Sequence, residues 1–462
     1  MTSSEFFCAP LISSIRKLFG IDAALTRWPT LRSVARSLIS VARSLMSVAR
    51  SLSHLCLLPP GRLDFSESWR TDQLFFAKRA KGLGPIFKMI LFARYTICLV
   101  GLKRAREFLL AHENVLRGEQ PELRGLFPKG FIRAMSGEDH QKYRRMFIQA
   151  LQATPLAFHE NAIRGWLLDK LAALAKDYFG TVVPGPQLRL CLREMTTGIM
   201  LRILFGLTPD DSEFPVFVHN YRKFGPNAPV TIIGPEQADA FIEIRNQVLC
   251  LVDTIRRDPH VREPSFLKLM VERDELDETA LGNLIYMCEG PNFDLYSLWR
   301  WIVKHLVTNP DYMKKVQSTP APARTHLCEA IVLETLRLEQ VEYLYRVTTS
   351  DISYQHYLIP KNAGVRVCLW EGHKDPNIFP DPFRFDPERF VGRTYPIEEY
   401  APFGLDKRCC IASDFVVTLS AVFIETLLER FLVTLASDGP PKFGAFHWEP
   451  NPDFSIAVSR LE

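Results

Sequence analysis

The stretch Phe403–Ala412 reads Phe-Gly-Leu-Asp-Lys-Arg-Cys-Cys-Ile-Ala and runs into an apolar segment, Asp414–Phe431, whose pattern predicts a helix. A cysteine delivered to the start of a helix is a candidate thiolate, because the unpaired N–H groups and the dipole there stabilise negative charge. A thiolate is a soft metal ligand. Two plainer roles compete for Cys409 and Cys410. Buried cysteines pack as small hydrophobes, and a structural zinc takes about four ligands. No Cys-x-x-Cys or His-x-x-x-His set stands nearby, which argues against zinc. What sets the stretch apart is the spacing Phe-x-x-x-x-Arg-x-Cys, from Phe403 through Arg408 to Cys410, and the motifs that precede it.

Upstream, Gly137-Glu-Asp-His140-Gln-Lys-Tyr-Arg144-Arg145 opens a helical stretch with His140 and Arg144 one turn apart on one face. Two such donors bind a carboxylate in a charge-assisted way; the plain alternative is a solvated polar face. Glu334-Thr-Leu-Arg337 has the i, i+3 spacing of a helical ion pair in a predicted helix Leu327–Leu338, flanked by apolar Ile331, Val332, Leu333 and Leu336. A surface pair contributes little, whereas a buried one needs further hydrogen-bonding partners. Arg346, the Ile359-Pro360-Lys361 and His373-Lys374-Asp375-Pro376 stretches, and Phe379-Pro-Asp-Pro-Phe-Arg-Phe-Asp-Pro-Glu-Arg389-Phe390 follow in that order.

The elements that must position these residues are mostly helical. From Trp69 a helix is expected around 67–80, then a hairpin from Ile86–Phe92 and Tyr95–Val100, then about ten helical segments almost to residue 340. Strand-like runs return at Ile352–Leu358 and Val365–Trp370. The expected class is mainly α with small β-sheets, in which the helices and strands do not alternate. The 462 residues, 47% hydrophobic and 23% charged, support a large core.

Net charge is +4, but residues 1–62 carry +6 and leave the remainder at −2, which excludes a nucleic-acid binder by charge. Ten cysteines without framework spacing point to a reducing compartment. Residues 33–53 are three near-identical heptads that place Val34, Leu38, Val41, Leu45, Val48 and Leu52 on one helical face, with Arg36, Arg43 and Arg50 off it. This basic amphipathic pattern fits peripheral membrane contact or a mitochondrial presequence; a duplicated segment of little structure is the plain alternative. No apolar run is long enough to span a bilayer. Leu57-Leu58-Pro59-Pro60-Gly61 reads as a rigid hinge, which divides the chain into an N-terminal extension, 1–62, and a body, 63–462.

The ordered set from His140 to Cys410 resembles the cytochrome P450 family over roughly residues 63–462. The resemblance implies the P450 fold and haem b, an iron protoporphyrin, with Cys410 as axial thiolate ligand. It further implies Glu334, Arg337 and Arg389 as a structural triad, with Phe403 in the ligand loop. His140, Arg144, Arg346 and Arg408 are implied as holders of the haem propionates. Thiolate donation favours O–O cleavage. An endoplasmic-reticulum membrane association and a place in secondary metabolism are further expectations of the resemblance.

The chain departs from the family pattern at three places. Trp301, Leu306 and Pro310 fit the family frame Trp-x-x-x-x-Leu-x-x-x-Pro, and counting back puts Phe293 where the family has an acid and Asp294 where it has threonine, after Gly290-Pro291-Asn292. Monooxygenation consumes two protons, so ordered water or another acid must replace the missing hydroxyl. Asp294 serves if an apolar pocket raises its pKa, and Asn292 and Phe293 flank it as candidate site residues; local bonding of Asp294 to backbone is the plain alternative. Pro291 is expected to break or kink the helix. Asp406 and Ala412 stand where the family has glycine, and Asp406 would be strained if its φ were positive.

Three functions follow. The first is a haem-thiolate monooxygenase that inserts one oxygen atom of O₂ into a hydrophobic small molecule, with electrons from NADPH through a reductase. The second is a haem-thiolate isomerase, dehydratase or peroxide-using enzyme, which does not need the threonine. The third is a haem-binding protein without turnover. Phe214, Phe217, Phe224, Phe293 and the segment Asn227–Pro235 suggest an apolar pocket or plain core.

Overall fold

The structure is a computed structural model; it describes residues 58–63, 68–118, 125–225, 233–260, 262–339, 344–444 and 448–461, with the side chains of 290–293 excepted. The heptads at 33–53 and the segment 226–232 lie outside the described residues. Where the body begins, Leu58 is buried and the Pro60 carbonyl accepts a hydrogen bond from the Lys88 amide at 2.8 Å. The Pro-Pro-Gly segment is therefore docked on the first strand.

After a 3-10 turn at Ser68–Arg70, the chain forms α1 (Phe75–Leu83), β1 (Ile86–Leu91), β2 (Arg94–Val100), α2 (Leu102–Ala111) and β3 (Leu116–Gly118). The single helix expected around 67–80 is thus a short turn and a later helix. A long helical run follows: α3 (Gly137–Ala153), α4 (Leu156–Asp177), α5 (Gly185–Phe205), α6 (Phe214–Phe224), α7 (Pro235–Arg257), α8 (Phe266–Glu272), α9 (Glu278–Thr308), α10 (Pro310–Ser318) and α11 (Ala323–Leu338). Then come β4 (Tyr345–Thr348), β5 (Ile352–Tyr354), β6 (Tyr357–Ile359), β7 (Gly364–Cys368), the single-turn α12 (Leu369–Gly372) and α13 (Ser413–Arg430). The chain closes with β8 (Phe431–Ser437), β9 (Lys442–Phe443), β10 (Trp448–Glu449) and β11 (Ser455–Arg460).

The run Ile352–Leu358 folds into a two-stranded hairpin, β5 with β6, because Gln355 takes a positive φ of 56° and reverses the chain. The five-stranded sheet has the order β1-β2-β7-β4-β3. β2 and β7 pair in parallel, which requires the long helical excursion between them.

The helices share one core around α9, the longest. Its start is set by Asp277, whose carboxylate accepts the Ala280 amide at 2.8 Å. Trp299 stacks on Phe423 of α13 at 4.2 Å between ring centroids, and its indole N–H donates to Ser420. Arg300 and Glu449 pair at 3.1 Å, tying α9 to the C-terminal strands. α9 continues through Pro291 as one helix, so the expected break does not occur. The missing backbone donor costs about 3 kcal/mol, and the flanking faces, with Leu284, Ile285, Cys288, Leu295 and Leu298 all buried, offset it.

Candidate haem-thiolate site

The ligand loop is built by backbone hydrogen bonds. The Cys410 amide donates to the Phe403 carbonyl at 2.9 Å and the Cys409 amide to the Asp406 carbonyl at 3.0 Å. The loop's positive φ falls on Gly404, at 107°, where an added Cβ would stand 3.2 Å from the Cys409 Cα. Asp406 has no positive φ, so the backbone strain expected of aspartate there is absent. Ala412 is the residue before α13, and its amide points at the Cys410 Sγ from 3.4 Å.

Cys410 combines two properties that conflict at first sight. Its surface is exposed to a water-sized probe, yet burial is the largest influence on its thiol and pushes the pKa up. Both hold if the exposed surface lines an internal cavity. Asp294 behaves alike: it is exposed in α9 although Leu295 and Tyr296 beside it are buried. Its charge acts on Cys410, Tyr286 and Arg133, so it lies in their neighbourhood. The raised thiol corrects the expectation of a thiolate favoured by the helix start alone. α13 begins three residues later, and one amide does not outweigh desolvation. A bound cation would supply the missing stabilisation.

The cations meet at this cavity. Burial and the nearby Arg346 both lower the pKa of the Arg133 guanidinium, and the same two influences act on Arg408. Arg346 donates to Asp406 at 2.8 Å and to the Tyr345 carbonyl at 3.0 Å. Arg408 donates to the carbonyls of Arg133, at 3.0 Å, and Met135. Arg144 donates to the Cys409 carbonyl at 2.9 Å. His140 is buried, and desolvation together with Arg408 and Arg144 pushes its pKa down to about 4. It is therefore a neutral ring at pH 7, which can still donate one N–H, and the charge of the expected donor pair rests on Arg144. Asp406 offsets part of this positive charge through Arg346, and Arg133, Arg144 and Arg408 leave the cluster net cationic. A dianionic, planar ligand with a metal cation at its centre fits both the arginines and the thiol, which is what haem offers.

The expected triad assembles behind the loop. Glu334 and Arg337 are fully buried and form a forked pair, with nitrogen–oxygen distances of 2.7 and 2.9 Å. The partners that such burial demands are present. Arg337 donates to the carbonyls of His373, at 2.9 Å, and Pro382, at 2.8 Å. Glu334 accepts the Asp386 amide at 2.9 Å, and Arg389 stands 3.6 Å away. This set ties α11 to the segment that leads into the ligand loop.

Asn292 and Phe293 lie on α9, but their side chains fall outside the described residues. Phe217 is fully buried against Phe205, and Phe214 packs on Trp166, so both belong to the core. Phe224 touches Tyr286, which in turn contacts Phe131 at 4.7 Å between ring centroids. Phe131, Arg133 and Tyr286 escaped the sequence reading. The first two lie in a connection before α3 with no spacing to mark them. Among the described residues no group of three or more His, Cys, Asp or Glu is placed to hold a bare metal ion.

A sequence model of the cytochrome P450 family matches residues 297–453. Abscisic acid 8'-hydroxylase 1 of Arabidopsis thaliana is 24% identical over 421 residues, covering 83% of this chain and 87% of that protein. The putative cytochrome P450 138 of Mycobacterium tuberculosis is 21% identical over 367 residues, covering 74% and 80%. Among solved structures, the retinoic acid-bound cyanobacterial CYP120A1 superposes with a TM-score of 0.71 at 23% identity, covering 88% of this chain and all of that one. The ligand loop, the ion-pair set and the fold agree with these matches, and the chain is similar to cytochrome P450 proteins over most of its length.

Proposed function

We propose that this chain binds haem b in the cavity between Cys410 and Asp294 and inserts one oxygen atom of O₂ into a hydrophobic small molecule, with electrons from NADPH through a reductase. The observation that carries the reading is the Cys410 loop held among cations, with Arg346 on Asp406, Arg408 on the Arg133 and Met135 carbonyls and Arg144 on the Cys409 carbonyl. The curated relatives named abscisic acid 8'-hydroxylase are named for a hydroxylation, the same class of reaction.

When bound, thiolate-ligated haem supplies the activation of dioxygen. The chain's residues do the rest. Cys410 would provide the ligand sulfur, the Ala412 amide would steady its charge, and Arg346, Arg408, Arg144 and His140 would hold the propionate edge. Phe131 and Tyr286, in ring contact with each other, would supply apolar surface beside the substrate. Asp294, in the place of the family's hydroxyl, is the carboxylate that would relay the protons that the reaction consumes. Asn292 and Phe293 complete that turn of α9.

A second reading rests on the same carboxylate. A hydroperoxide brings its own electrons and protons, so an enzyme that uses one can dispense with the hydroxyl relay. Residues 33–53 would contact a membrane surface peripherally, that of the endoplasmic reticulum or, alternatively, of the mitochondrion. The deciding experiment is a reduced carbon monoxide difference spectrum of the purified protein, followed by turnover assays with NADPH, reductase and O₂ or with a hydroperoxide. Product formed only with reductant and O₂ establishes the first reading; product formed with hydroperoxide alone establishes the second.

A further inference from the structure

Asp406 stands where the family has glycine, and it is neither strained nor solvated. One carboxylate oxygen accepts from the Arg346 guanidinium at 2.8 Å, and the other accepts from the Arg408 amide at 2.9 Å. The Arg346 and Asp406 side chains are only 5% and 12% exposed. The Asp406 charge also reaches Arg133, His140 and the Arg408 guanidinium. It therefore sits at the centre of the cationic cluster that faces the cavity. A second anion brought to this cluster meets an arginine already engaged in a charge-assisted hydrogen bond, and it adds negative charge next to negative charge.

We propose that Asp406 is a built-in competitor for the cations that would hold a haem propionate, so that this chain retains haem less tightly than the same loop would without the carboxylate. The inference rests on the haem reading above. It gives Asp406 two opposite effects. In the apoprotein the carboxylate neutralises Arg346 and stabilises the loop. In the haem-loaded protein it repels the propionate edge and lowers the reduction potential, since a nearby negative charge disfavours the added electron.

The test is Asp406→Asn, which keeps an acceptor for the Arg408 amide and removes the charge. The full-length variant and parent are loaded with haem, and transfer of haem to excess apomyoglobin is followed by absorbance. Transfer from the variant is expected to be slower by roughly tenfold, the factor that about 1.4 kcal/mol sets. The midpoint potential should rise, while the apoprotein should unfold at lower urea concentration. A purely structural aspartate would weaken both forms together. Equal or faster haem loss from a folded variant overturns the proposal. Should Asp406→Asn fail to fold, Asp406→Gly is measured in the same way and read by the same criterion. A parent that takes up no haem with a thiolate-type spectrum overturns the haem reading and the proposal with it, an outcome distinct from unchanged transfer.

Discussion

Cys409 and Cys410 are adjacent but differently engaged. The Cys410 sulfur is approached by the Ala412 amide, whereas the Cys409 sulfur lies 3.8 Å from Arg144, whose guanidinium also holds the Cys409 carbonyl, and the proposed ligand is Cys410. Cys410→Ser should therefore abolish the thiolate-type absorption of the reduced carbon monoxide complex. Cys409→Ser should keep it with at most a small loss of haem occupancy, and the opposite pattern would reverse the assignment. His140 supports a pH prediction on the apoprotein. Its ring takes a proton near pH 6.5 when unfolded but only near 4 when folded, because burial and neighbouring arginines disfavour the charged form. The unfolded chain thus binds more protons between these values, and stability falls as pH drops from about 6.5 toward 4. Urea titrations across that range should show the decline, and His140→Asn should flatten it.

At the scale of elements, the buried ion pair of α11 is the clearest dependence. Removing one partner leaves an uncompensated charge in the core, at a cost of about 3–5 kcal/mol. Arg337→Ala also strands the carbonyls of His373 and Pro382, so its urea midpoint should fall sharply or the chain should fail to accumulate as folded protein. Arg324→Ala on the same helix removes an ion pair with Glu429 that is only partly buried, and should shift the midpoint far less. Much of this set was legible beforehand. Glu334 and Arg337 announce themselves by i, i+3 spacing among apolar neighbours, and Arg389 and Cys410 by their order downstream. What stayed hidden depends on tertiary contact. The Arg346–Asp406 pair joins residues 60 apart in sequence, and Arg133 reaches the site from a connection whose residue types carry no periodicity. The uninterrupted course of α9 through Pro291 was unreadable for the same reason, since local propensity opposes it and packing decides it.

For the whole molecule, the basic segment and the docked body overlap at residues 58–62. The segment 1–62 carries +6 and the rest −2, while no described helix is long and apolar enough to cross a membrane. Leu58 and the Pro60 carbonyl are already part of the folded body through their contact with β1, and a Cβ at Gly61 would stand 2.2 Å from the Lys88 carbonyl oxygen, so this junction tolerates little change. A truncation that starts just before Leu58 keeps these contacts and removes seven of the eight basic residues of the segment, Arg62 remaining. If Val34, Leu38, Val41, Leu45, Val48 and Leu52 form an apolar face bordered by Arg36, Arg43 and Arg50, that piece supplies membrane affinity through burial plus attraction to anionic headgroups. The truncated protein should then show the parent's carbon monoxide difference spectrum but pellet less with phosphatidylserine vesicles. Binding of the parent should weaken as salt is raised toward 0.5 M, where the Debye length is below roughly 5 Å. Equal pelleting of both proteins would locate membrane contact on the body instead, and loss of the spectrum on truncation would mean that residues 1–57 take part in folding the haem domain.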